Sequence, residues 1–208
     1  MSRSARIIGP LGRSLRSART GILAMAATYA ASVGVGAAMV HAGSRFAVAK
    51  RDAIVDRALR SDPASRADDA GDHGAAAAID FSRNLGLAAI PDTIAGLTVV
   101  LPFGFAAYRG WVGGLVSIDE HHESRLRRAR PALYYLVTLT LQLAGFTLAG
   151  GAGVHLGWST IRGRGPMVGP AWFRLSRPAV IEVAWIYTLI VPLFALGSLW
   201  EFLWTGGR

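Results

Sequence analysis

Asp92, Arg109, Glu182 and Glu201 each interrupt or border a long apolar run. An ionisable side chain at membrane depth is costly, so each calls for a partner, a cavity or a function. Asp92 and Arg109 stand on either side of Pro102. Glu182 follows Ser176 and Pro178, where the start of a helix favours a carboxylate. Glu201, between Trp200 and Trp204, is expected to reach the interface. An Arg109 to Glu182 ion pair would neutralise both charges between helices, and their depth suggests it.

Other chemistry is thinly represented. The run Asp119, Glu120, His121, His122, Glu123 places Asp119, His122 and Glu123 on one face if helical. It lacks the HExxH arrangement and stands beside Arg125, Arg127, Arg128 and Arg130, which disfavour a bound cation, so it reads as a solvated turn and not a metal site. Ser82, Ser117, Ser124, Ser159 and Ser176 have no nucleophile-elbow context, and no phosphate-binding loop is present. The glycine-rich stretch 163–169 follows no strand pattern and reads as a connecting loop. There is no cysteine, which excludes disulfides, thiolate catalysis and cysteine-ligated metals within these 208 residues. No catalytic residue, metal or cofactor is expected.

The elements that must position these residues are membrane helices. Hydrophobic residues make up 52% and charged residues 17%, against about 25% charged in ordinary soluble domains. Four spans are expected, at 21–42, 87–118, 132–157 and 178–204, each at or above the roughly 20 residues a bilayer core requires. The chain thus reads as an all-α, polytopic helix bundle. Its second span is too long for a straight crossing; Pro91, Pro102, Gly104, Gly110, Gly113 and Gly114 offer breaks, and a kink is the expected outcome, with two half-helices as the alternative.

Small residues recur at every fourth position in the third span, at Gly145, Ala149, Gly153 and Gly157. A second set, Ala26, Ala30, Gly34, Ala38 and Ala42, runs along the first span. Such faces let helices approach closely in lipid, within one bundle or between copies. Trp158, Trp172, Tyr134, Tyr135, Trp200 and Trp204 read as interfacial anchors.

Four sections follow: a basic segment 1–20, an anchor 21–42, an extramembrane section 43–80 and a membrane domain 81–208. Arg3, Arg6, Arg13, Arg16 and Arg19 precede the first span with no acidic residue among them. The length of that span favours an uncleaved signal anchor with a cytoplasmic N-terminus. Net charge +9 sits beside apolar runs, so anionic lipid and not nucleic acid is the expected electrostatic partner. Section 43–80 carries six basic and seven acidic residues. Its first part, 45–60, reads as an exposed or interfacial helix, 66–74 as an acidic loop, and 75–85 as a resumed helix.

The stretch 81–204 resembles the stage II sporulation protein M family of multipass membrane proteins. The likeness rests on FSRNLGLAA with Asn84, on the segment ending YRGWVGG, on LQLAGFTLAGGAGVHLG and on the closing LWEFL. Gly110 and Gly114 match the family's asparagine-glycine helix start, while Gly150, Gly153 and Gly157 match its glycine-rich helix end. The family's paired asparagines stand here as Arg83 and Asn84, and its asparagine before glycine as Arg109. Its Pro-His-Gly signature falls at Val137, Thr138 and Leu139, and its glutamate is matched by Gln142. Gln142 retains interhelical hydrogen bonding without the charge.

The resemblance implies a non-enzymatic component of a bacterial plasma membrane. The expected function is a scaffold or accessory subunit, assembled through small helix faces with other membrane proteins or with itself. The alternative is a transporter or channel subunit of exporter-permease type, with Asp92, Arg109 and Gln142 near a cavity.

Overall fold

The computed structural model describes residues 3–170 and 173–204, and of residues 3–8 the backbone alone. Trp172 lies outside the described residues, as do the side chains of Arg3 and Arg6. The described chain is nearly all helix. Three stretches, Gly9–His41, Ala129–Ile161 and Arg177–Leu203, are long and apolar enough to cross a bilayer.

The first belongs to α1 (Arg3–His41), rich in alanine and glycine, which ends before Gly43 at a φ of 71°. There α2 (Arg45–Ser61) begins, its N-cap Ser44 accepting the Ala47 N–H. Asp62 caps α3 (Pro63–Asp69) and Asp72 caps α4 (His73–Arg83). The expected loop at 66–74 is thus helical as far as Asp69, because Asp62 and Pro63 make a strong helix start. The boundary expected at 80/81 falls within α4.

From α4 the chain continues through a π-type turn, Asn84–Ala89, into α5 (Ile90–Ala95) with helical backbone at both junctions. Pro91 has no N–H to offer, and the widened turn, in which the Ile90 N–H reaches the Leu85 carbonyl, absorbs the mismatch. A short 3-10 turn, Gly96–Thr98, ends at Val99 with a φ of 66°.

There the chain reverses into α6 (Leu101–Leu115). The expected kink at Pro102 is therefore corrected to a helical hairpin whose turn precedes it. Pro102 stands in the first turn of α6, where its missing donor costs no helical hydrogen bond. The hairpin buries Gly96 against Gly153 of the long helix that follows.

A loop and a short turn, Arg125–Arg127, lead to α7 (Ala129–Ile161). The stretch 163–169 then holds one strand of a minimal hairpin, β1 (Met167–Val168) with β2 (Leu175–Ser176), before α8 (Arg177–Leu203).

Helix directions follow from which residues meet. Gly110 lies against Tyr29 and Ser32, and Gly114 against Val33 and Ala37, so α6 runs parallel to α1. Gly151 meets Ile22 while Gly150 meets Met25, making α7 antiparallel to α1. The Gly145 contact with Phe194 and the Tyr134 hydrogen bond to the Glu201 carbonyl make α8 antiparallel to α7.

Two ends result. One carries the first turns of α1, the 96–100 reversal and the α7 to α8 connection. The other carries α2, α3, the loop 116–128 and the C-terminus of α8. Between them the core holds Met25, Tyr29, Ile186, Ile190 and Phe194 among buried alanines and glycines, while Leu23, Val35, Ile94, Leu133 and Leu196 face outward.

Candidate functional site

The glycine faces decide how close the helices come. Gly153 lies on Thr93, and a Cβ there would stand 2.7 Å from the Thr93 Cα. Gly157 abuts the Gly96 carbonyl, with Leu97 Cα 2.9 Å from where its Cβ would be. Gly145 leaves room for the Phe194 ring, and Ala149 offers its carbonyl to the Thr93 hydroxyl at 3.0 Å. These four residues are all buried.

Gly34 and Ala38 are placed otherwise. Both are exposed on the outer side of α1, and nothing lies within 4 Å of the Cβ direction at Gly34. The close contacts of α1 use Gly21 and Gly36, which fall on another face of the helix.

The hairpin joins Asp92 and Arg109 in an ion pair through Asp92 Oδ2 and an Arg109 amino group. Asp92 is 1% exposed, its Oδ1 has no hydrogen-bond partner among the described residues, and the Arg109 guanidinium lies 4.5 Å from the Phe146 ring centroid. The expected Arg109 to Glu182 pair is not formed. Glu182 lies at the end that carries the α7 to α8 connection, where its Oε2 stands 2.6 Å from His155 Nε2 and 3.3 Å from Arg164. Its Oε1 accepts the Ser17 hydroxyl at 2.9 Å.

Arg109 also opens onto a cavity of about 550 Å³ between the π-type turn and α6 on one side and α7 and α8 on the other, with Ile54 of α2 at its edge. Asn84, Gln142 and Glu201 line it as well, so it gathers four of the six polar residues singled out from the sequence. Gln142 Nε2 donates to Glu201 Oε2 at 2.8 Å. Asn84 donates to Asp80 at 2.9 Å, and Ser198 donates to the same Asp80 oxygen at 2.7 Å. Glu201 is therefore held inside the bundle by Gln142 and does not simply emerge at an interface, although Trp200 and Trp204 stack beside it.

Leu139, Leu143, Val112 and Phe146 make much of the remaining wall apolar, Arg125 and three tyrosines also reach it, and Thr138 contributes a buried hydroxyl without a partner among the described residues. A few convergent polar groups on an apolar wall, at this volume, are the features of a small-molecule site.

Asp80, Thr93, Tyr187 and His155 join these networks without having stood out in the sequence. Thr93 shares a hydrogen bond of 2.8 Å with Tyr187. The signal for His155 was available: it is a histidine well inside a membrane-length apolar run, between Gly153 and Gly157, whereas His41 stands at the end of one.

The acidic run forms a turn. Asp119 Oδ1 accepts the Glu123 and His121 N–H groups, which hold its carboxyl below the ordinary carboxylate range. His122 reaches back to Asp52 on α2 at 3.1 Å. Burial acts to raise Asp52, but hydrogen bonds with Arg51 and His122 outweigh it and leave the carboxyl lowered. Among the described residues no three histidine, aspartate or glutamate side chains converge as a metal-ligand set.

Against family models, curated proteins and solved structures, the chain matches none.

Proposed function

We propose that this chain is a polytopic membrane protein serving as a transporter or channel subunit, and that the cavity beside Arg109, Gln142 and Glu201 holds its solute. The observation that carries the reading is the cavity itself: about 550 Å³, largely apolar-walled, with the cations Arg109 and Arg125 and the carboxylate of Glu201 on its lining. A site of mixed sign within an apolar wall suits a polar or zwitterionic solute, or the headgroup of an amphiphile. The π-type turn at Asn84 and the hairpin that follows supply the irregular backbone that transport sites are built from.

The absence of cysteine makes the test direct. In sealed vesicles, a single Thr138→Cys variant is expected to react with a charged, membrane-impermeant maleimide added to either face, while Gly34→Cys reacts from neither. Thr138→Cys that stays unlabelled, or that reacts from one face only, would remove the argument for passage.

A second reading, a non-catalytic scaffold or accessory subunit of a bacterial plasma-membrane complex, is favoured by the outward small face of α1. Gly34 sits there with open space at its Cβ direction and Ala38 is exposed beside it, a face suited to a close helix from another subunit. Co-purification of a stable partner that is lost on Gly34→Leu supports that reading; a monodisperse chain with no partner speaks against it.

A further inference from the structure

At the end opposite α2 lies a second recess, of about 390 Å³, between the first turns of α1 and the start of α8. We propose that it binds the phosphate headgroup of an anionic phospholipid.

Three arginines line it. Arg13 and Arg16 stand three positions apart on α1, hence on one helical face, and Arg164 reaches in from the α7 to α8 connection. Its single carboxylate is Glu182, and both of that group's oxygens are already engaged. Oε1 takes the Ser17 hydroxyl and one amino group of Arg164, whereas Oε2 faces His155 and the other amino group of Arg164. Glu182 thus anchors one guanidinium in position, while Arg13 and Arg16 have no carboxylate within ion-pair distance among the described residues. The recess is left cationic.

Its surroundings say which anion fits. Arginine forks match phosphate oxygens two at a time, and juxtamembrane arginines attract anionic headgroups. Trp185 and Ile181, the latter 49% exposed, form an apolar wall on α8 directly beside the arginines. A phosphate at Arg13 and Arg16, with Arg164 held by Glu182 at the edge of the recess, would therefore have a surface for glycerol and acyl chain against the helix. A free inorganic anion has no use for that wall. Arg162, stacked on Trp158 at 4.5 Å, and the exposed Arg174 and Arg177 extend the positive field at the same end.

The test uses the full chain in detergent, followed by native mass spectrometry and thermal unfolding. Phosphatidylglycerol, phosphatidylcholine and inorganic phosphate are added separately. Phosphatidylglycerol is expected to remain bound and to raise the unfolding temperature; phosphatidylcholine and inorganic phosphate are not.

R13Q/R16Q should weaken phosphatidylglycerol retention by about fivefold per arginine removed. R13K/R16K should keep most of it, and R127Q/R128Q at the other end should match the unaltered chain. Should R13Q/R16Q lose its helical circular dichroism, Arg16→Gln alone is measured instead. The proposal is overturned if R13Q/R16Q retains phosphatidylglycerol like the unaltered chain, if phosphatidylcholine binds equally well, or if inorganic phosphate stabilises as strongly as the lipid.

Discussion

Asp92 and Arg109, seventeen positions apart, owe their pairing to a chain reversal that neither residue encodes. The two partners are not equivalent. Asp92 is 1% exposed, whereas the Arg109 side chain is 27% exposed and rests on Phe146. Arg109→Ala therefore strands a buried carboxylate, at a cost of about 3–5 kcal/mol. Asp92→Asn leaves a cation that still has an aromatic face and the cavity, so its cost is smaller. Denaturant unfolding of the detergent-solubilised chain measures both; equal losses would contradict this asymmetry. Glu182→Gln combined with Arg109→Ala is expected to be additive within about 0.5 kcal/mol, because Glu182 belongs to His155, Arg164 and Ser17. Ionisable residues were legible as candidates from their place in apolar sequence, but their partners were not. Partner choice depends on which helices meet, and the depth of a charge along its own helix does not carry that.

At the scale of the element, the same residue type has opposite consequences on two helices. Gly153 lies where an added methyl group would stand 2.7 Å from the Thr93 Cα, while Gly34 points into open space. Gly153→Ala is expected to cost about 1–3 kcal/mol through overpacking. Gly34→Ala should be neutral or stabilising by about 0.5–1 kcal/mol, since alanine restricts the unfolded helix more than glycine. The same unfolding assay separates them, and a stable Gly153→Ala would show that α5 and α7 do not pack so closely. Spacing alone revealed both stripes of small residues. It could not say which way each faces, because in lipid a small face is equally compatible with a neighbour in the bundle, a neighbour outside it or acyl chains.

For the whole molecule, the reversal at 96–100 decides which residues share an end and so the chemistry of each end. It brings Thr98 to the end that also carries Arg162, opposite the end where Ser44 begins α2. In sealed vesicles, Thr98→Cys and Arg162→Cys should react with an impermeant thiol reagent from the same face, and Ser44→Cys from the other. A kinked single span would hold position 98 at mid-membrane, and an unlabelled Thr98→Cys would restore it. The two ends also differ in balance. The 96–100 end carries Arg13, Arg16, Arg19, Arg162, Arg164, Arg174 and Arg177 with Glu182 as its acidic member, while α2, α3 and the loop 116–128 mix both signs.

By itself the sequence determined what is local. Runs of apolar residues long enough for a bilayer specify α1, α7 and α8, and caps such as Ser44, Asp62 and Asp72 start their helices wherever those helices lie. Tertiary structure alone decided what is non-local. The hairpin turns inside an apolar stretch whose one positive φ falls on Val99, a β-branched residue that gives no turn signal. That turn sets α5 against α7 and α6 against α1, and only then do Arg109, Gln142, Glu201 and Asn84 surround one cavity while Arg13, Arg16 and Arg164 surround another. The physical reason is that hydropathy and capping act over a few residues, whereas a cavity is the space left between helices after each has found its neighbour.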